Sequence, residues 1–125
     1  MDYETFIDTV SRRSHVPRDK AESLTRATLE TLAERLTRGE ADDLASELPK
    51  PLQTPLISPT PEAEGFGLEE FVDRVSRRSG LSPDEAREGV RAVLSTLHDA
   101  VSDGEFRHVL AQLPTQFGEL VDAGG

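Results

Sequence analysis

The chain repeats itself. The stretch from Phe6, FIDTVSRRSHVPRDKAESLTRATLETLAERLTRGEADDLASELP, returns from Phe71 as FVDRVSRRSGLSPDEAREGVRAVLSTLHDAVSDGEFRHVLAQLP. The offset is 65 residues throughout, and no gap is needed. An internal repeat constrains architecture before any other signal, because one unit that cannot bury its apolar face alone hides it against its copy. It also sorts functional candidates. A residue that matters to the shared scaffold has a counterpart 65 positions away.

Each copy is about 55 residues once a linker is set aside, a size that buries too little surface to be comfortably stable alone. Only 35% of the 125 residues are hydrophobic. Most of them are therefore needed for one shared core. The formal net charge is −10. That charge repels phosphate backbones, whose recognition rests on basic patches, so no nucleic-acid partner is expected. It disfavours anionic lipid for the same reason. There is no cysteine, which removes disulfides, thiolate catalysis and cysteine-held metals. No apolar run approaches a membrane span, and the acidic start MDYETF lacks the form of a secretory signal. The expectation is a cytoplasmic protein without a membrane partner.

Helical periodicity appears in both copies. Tyr3, Phe6, Ile7 and Val10 form one stripe, and Leu68, Phe71, Val72 and Val75 form its counterpart. A longer helix follows in each copy. Its buried face runs Ala21, Leu24, Thr28, Leu29, Leu32, Leu36 in the first and Ala86, Val90, Val93, Leu94, Leu97, Val101 in the second. The registers agree except where Leu24 and Thr25 stand against Gly89 and Val90. Ser82, Pro83 and Glu85 make a strong helix start with a capping box, whereas Val16 and Pro17 make a weaker one. Gly39 and Gly104 are read as left-handed C-terminal caps. A third, short helix ends at Leu48-Pro49 and Leu113-Pro114. The tail with Phe117, Leu120 and Val121 predicts one more helical turn or two. Pro51 and Pro55 break the matching segment, which predicts an extended apolar strap there. No segment alternates with period two, so no sheet is predicted.

The stretch from DYETF to ASELP, its second copy, and the closing LPTQFGELV resemble the prokaryotic family known as domain of unknown function 2267. The opening Phe-x-x-x-Val helix, the Ala-rich middle helix running into Gly-Glu, and the Leu-Pro stops carry the resemblance, over nearly the whole chain. The resemblance implies an all-helical fold. It implies no established activity, so no catalytic residue is carried over. The departure is at Pro51 and Pro55, where the family more often continues helically.

The twin Val-Ser-Arg-Arg-Ser segments are the most alike. One reading makes Arg12, Arg13, Arg77 and Arg78 an anion grip with bidentate hydrogen bonds. The other makes them helix C-terminal charges paired with Asp8 and Asp73, four residues earlier. Arg26 and Arg91 are mid-helix counterparts that either cover apolar surface and pair with an acid or join a ligand site. Glu40 and Glu105 read as chain punctuation beside glycine, suited to the positive end of the next helix. As a catalytic carboxylate pair they lack a nucleophile. His98 and His108 sit near acids but match no metal-ligand spacing, so no metal is expected. Neither a Gly-rich phosphate loop nor a nucleophile elbow is present.

The sequence therefore predicts an all-α protein of two homologous three-helix repeats with approximate internal two-fold symmetry, closed by a short C-terminal helix. The first repeat spans 1–56, a Pro/Gly linker spans 57–66, and the second repeat spans 67–125, all in one integrated domain. No catalytic residue and no cofactor are expected. The first functional expectation is a non-enzymatic module that binds a protein partner or a second copy of itself through an apolar edge of Leu52, Leu56, Ile57 and Phe66. The alternative is a small-anion binder using Arg12, Arg13, Arg77, Arg78, Arg26 and Arg91 in a groove between the repeats.

Overall fold

In the computed structural model, which describes residues 1–57 and 62–123, every regular element is helical. The elements are α1 (Tyr3–Ser14), α2 (Arg18–Arg35), α3 (Arg38–Ser46), α4 (Lys50–Gln53) with a 3-10 turn over Thr54–Leu56, α5 (Leu68–Ser79), α6 (Pro83–Ala100), α7 (Asp103–Ala111) and α8 (Thr115–Ala123). Helices α5 to α8 begin at 68, 83, 103 and 115, each 65 positions after α1 to α4 at 3, 18, 38 and 50.

The stripes buried by α1 and α5 are those their spacing predicts. Phe6, Ile7 and Val10 are fully enclosed, as are Phe71 and Val75. Both helices end on a left-handed residue, His15 at φ 58° and Gly80 at φ 77°. Glycine takes that conformation without a Cβ penalty, whereas histidine carries one. Helix α1 packs on α2 and α6; α5 packs on α6 and α2. Each opening helix thus lies against both long helices. The buried residues of both halves join in one apolar cluster, from Phe6 to Phe117.

Helix α2 starts at Pro17 with no side-chain cap, while α6 starts with both halves of a capping box. The Glu85 N–H donates to Ser82 Oγ at 3.2 Å, and the Ser82 N–H donates to Glu85 Oε1 at 3.1 Å. Ser82→Ala is expected to cost about 1 kcal/mol, read as a lower urea midpoint at unchanged slope.

Four expectations are corrected. Gly39 and Gly104 are not C-caps. They lie inside the first turns of α3 and α7, with no positive φ. The long helices end instead at Leu36 and Val101 in extended backbone, and Thr37 and Ser102 cap the starts of α3 and α7. Residues 50–56 are not an extended strap but α4 and its 3-10 turn, because Pro51 and Pro55 both fall in first turns, where no N–H is needed. Leu52 and Leu56 are not an exposed edge: they are 2% and 1% exposed, inside the core. Phe66 is half-buried and held from three sides. Its ring lies 6.2 Å from Phe71, the Arg74 guanidinium sits 3.8 Å above it, and Arg35 Nε donates to its carbonyl at 2.8 Å. Of that predicted edge only Ile57 is open, at 72% exposure. Of the expected linker, Ser58, Pro59, Thr60 and Pro61 lie outside the described residues.

The one mismatch between the long helices also has a physical reason. Leu24 fills the space beside Gly89. A Cβ built on Gly89 would stand 2.3 Å from both Leu24 methyl carbons and 2.7 Å from its Cγ.

Candidate functional site

Helices α3 and α7 pack against each other, and their capping is exchanged between the halves. Thr37 Oγ1 accepts from the Glu40 N–H, and Ser102 Oγ accepts from the Glu105 N–H. In a capping box those glutamates would return the bond to the cap's own N–H. Here other residues do so. Gln112 Oε1 accepts from the Thr37 N–H at 3.0 Å, and Glu47 Oε1 accepts from the Ser102 N–H at 2.7 Å. Gln112 and Glu47 are themselves counterparts across the 65-residue offset.

That exchange leaves the side chains of Glu40 and Glu105 available, and they meet. Glu105 is only 7% exposed. Its Oε2 and that of Glu40 are both shielded from solvent and have no hydrogen-bond partner outside the cluster among the described residues. Asp43 joins them: one carboxylate oxygen from each of the three lies within 4.8 Å of the others. Burial, followed by a hydrogen bond of the protonated carboxyl to Glu40 and then the charges of Glu40, Asp43 and Glu47, pushes the Glu105 carboxyl up to about 8. Both glutamates stand in the first turns of α3 and α7, where the sequence reading placed them; that their carboxylates meet is what the sequence did not show. The signal that could have found them is the repeat itself. Where two like helices pack, residues near the contact meet their own counterparts.

The six arginines are not brought together. Arg12, Arg13 and Arg91 line one cleft of about 430 Å³ with His15, Ser95, His98 and Asp99. Arg26 and Arg78 line a second, with Tyr3, Asp19, Glu22 and Glu30 among its other walls. Arg77 lines neither and pairs with Glu70. The expected Asp8–Arg12 and Asp73–Arg77 pairs are absent among the described residues. Asp8 and Glu4 bind Arg18 instead, because α2 brings that guanidinium alongside α1.

Local bonding in the two clefts is closely matched. Arg13 donates to Ser95 Oγ at 2.8 Å and to Thr96 Oγ1 at 3.4 Å, and pairs with Asp99 at 2.6 Å. Arg78 donates to Thr31 Oγ1 at 2.9 Å and pairs with Glu34 at 2.7 Å. The clefts differ in their walls, since Ser95 stands where the other half has Glu30. Arg91 Nε pairs with Glu88 at 2.8 Å, and its Nη2 donates to the Arg13 carbonyl at 3.2 Å. Arg12 is exposed, donates only to Thr9 Oγ1 at 3.3 Å and makes no ion pair among the described residues.

Arg74 organises a third cluster. It binds Glu34 at 3.0 Å, Glu64 at 3.2 Å and Glu70 at 2.9 Å while covering Phe66. This is a structural tie between α2, α5 and the segment before α5. The histidines form no metal group among the described residues. His98 stacks on Phe106 at 4.4 Å and faces Asp103 at 3.4 Å, and His108 is exposed.

Together the fold and these clusters define an all-helical protein. Residues 3–120 match the family described as "Uncharacterized conserved protein (DUF2267)", and the chain belongs to that family. No curated protein matches the chain. No described helix is long and apolar enough to cross a membrane.

Proposed function

We propose that the protein is a non-enzymatic binding module that holds a small phosphate- or carboxylate-bearing ligand in the cleft of Arg12, Arg13 and Arg91. We read its frame as two three-helix repeats related by an approximate internal two-fold. Matching helix starts and the reciprocal packing of α1 on α6 and α5 on α2 support that reading.

The observation that carries the functional reading is the asymmetry of the two clefts. Both have a scaffold arginine anchored on a threonine and an acid. Only one adds Arg12, which makes no ion pair among the described residues, and two histidines. An exposed guanidinium beside a second, oriented one is suited to planar bidentate recognition of a carboxylate or phosphate. The other cleft is lined by Asp19, Glu22 and Glu30 and repels the same ligand.

The self-association reading is less favoured, because the edge it needed has gone into the core, leaving Ile57. Nucleic acid is not part of the reading, because the arginines divide between clefts on a chain of net charge −10. The reading takes the protein as cytoplasmic, in keeping with a chain that has no cysteine to form disulfides.

Thermal unfolding with inorganic phosphate and with citrate, against sodium chloride at equal ionic strength, tests this. At about 10 mM, one of the two is expected to raise the midpoint by ~3 °C or more. Arg12→Ala with Arg91→Ala should abolish the shift, and Arg26→Ala in the other cleft should preserve it. No shift with either anion, or one that survives the Arg12/Arg91 change, rejects the cleft.

A further inference from the structure

We propose that Glu40, Asp43 and Glu105 form a binding site for a calcium-sized divalent cation between α3 and α7. An oxygen from each carboxylate lies within 4.8 Å of the other two. Calcium holds oxygen ligands at about 2.3–2.6 Å, so ligands on opposite sides of it stand up to about 5 Å apart. Magnesium, at about 2.0–2.1 Å, spans about 4 Å and demands a near-octahedral shell. A donor set of oxygens alone suits a hard cation rather than zinc or copper.

Acidic clusters are ordinary on a chain of this charge and need no ion. Two further observations point to one here. Glu105 is more than nine-tenths buried, and its Oε2 has no donor from outside the cluster among the described residues; Oε2 of Glu40 is in the same condition. A carboxylate oxygen removed from water without a partner is costly, and three carboxylates crowding one point add mutual repulsion. A cation relieves both.

The second observation is the exchanged capping. Glu40 and Glu105 stand at the capping-box position, yet Gln112 and Glu47 make the bonds that position would make. The glutamates are fixed by their own N–H groups on Thr37 and Ser102, with their carboxylates turned to each other. Asp43 follows Glu40 by three residues on α3, which places it on the same face. It is exposed, so it supplies the solvent-side ligand, and water completes the shell. The site shares no residue with the arginine cleft, and its test is independent of that reading.

The full-length protein, stripped with EDTA, is to be melted near pH 7.5 in calcium chloride, in magnesium chloride and in potassium chloride at matched ionic strength. Calcium at about 5 mM is expected to raise the midpoint by ~5 °C or more, with magnesium giving less. Glu105→Gln is near-isosteric and removes one of the three carboxylate ligands. It should melt higher than the wild type without calcium and show no calcium shift. Asp43→Asn, on the exposed ligand, should keep the fold and weaken calcium binding about tenfold by calorimetry, with a stoichiometry of one ion per chain. The proposal is overturned if calcium leaves the wild-type midpoint at the potassium value. A calcium shift of equal size in Glu105→Gln overturns it as well.

Discussion

Gly89→Leu is expected to lower the unfolding free energy by on the order of 3–5 kcal/mol, and adding Leu24→Gly is expected to recover most of that loss. Helices α2 and α6 approach at this point. A Cβ at position 89 would overlap three atoms of a leucine that is fully buried. The Leu24 side chain has nowhere to turn, since Ala21, Leu24, Val90 and Val93 are all enclosed in the same cluster.

The gain in helix propensity from losing a glycine is only about 1 kcal/mol, too small to offset the overlap. Leu24→Gly alone is also severe. It opens a cavity, typically about 3–5 kcal/mol for a buried leucine, and adds a glycine to a helix interior. The swapped pair restores the same one leucine and one glycine to the contact, with the partners exchanged. Urea denaturation of the two single variants and the double variant gives the coupling directly. Near-additive losses would mean that the contact is not interchangeable, and that the two halves are not equivalent at the place where they meet.

Much of this arrangement is legible in the repeat once the offset is carried far enough. The stripes Phe6, Ile7, Val10 and Phe71, Val72, Val75 predict buried helix faces, and the structure buries them. The same offset, carried past the Leu-Pro stops, sets Leu52 against Phe117 and Leu56 against Val121. Phe117 is fully enclosed, with its ring edge-on to Phe71 at 5.0 Å. That correspondence marks Leu52 as core. The prolines obscured it, because Pro51 and Pro55 read as helix breakers although each occupies a first turn.

Other features were hidden for different reasons. Gly39 and Gly104 follow long apolar periods and so imitate C-caps. The actual stops are extended residues, each followed by a capping residue, Thr37 or Ser102. Glu40 and Glu105 fit a capping box so well that sequence alone leaves them nothing else to explain. Only the tertiary contact of α3 with α7 reveals that Gln112 and Glu47 have taken over the task. The twin arginine segments have the same sequence but different surroundings. Among what separates them are Ser95 in place of Glu30 and His98 in place of Ala33, residues on other helices.

The carboxylate cluster also sets how stability varies with pH. Free of divalent cations, the protein is expected to be most stable near pH 5 and to weaken steadily toward pH 8. Burial and the neighbouring Glu40, Asp43 and Glu47 push the Glu105 carboxyl up to about 8, from an ordinary 4.5. In that interval the folded chain keeps a proton that the unfolded chain has released. Native stability therefore falls as pH rises through it, and the loss is complete above the folded value.

Four other carboxylates work in the opposite direction. In Glu34, burial raises the carboxyl, but hydrogen bonds from Arg78 and Arg74 outweigh it and hold it low. Glu70 is held low by Arg74, Glu85 by the Ser82 N–H and Asp2 by the Thr5 N–H. The stability these four provide is present above the ordinary carboxylate range and is lost as pH falls below it. The two trends meet near pH 5. Glu105→Gln removes only the upper one. Thermal midpoints measured in EDTA from pH 4 to 9 should fall for the wild type by ~5 °C or more between pH 5 and 8, and stay level for Glu105→Gln. The acid limb should be the same in both proteins. If the variant falls in parallel with the wild type, Glu105 does not hold its proton in the folded chain. If calcium is then added, the wild-type loss should reverse most strongly at the highest pH, because a carboxylate must give up its proton before it can hold a metal.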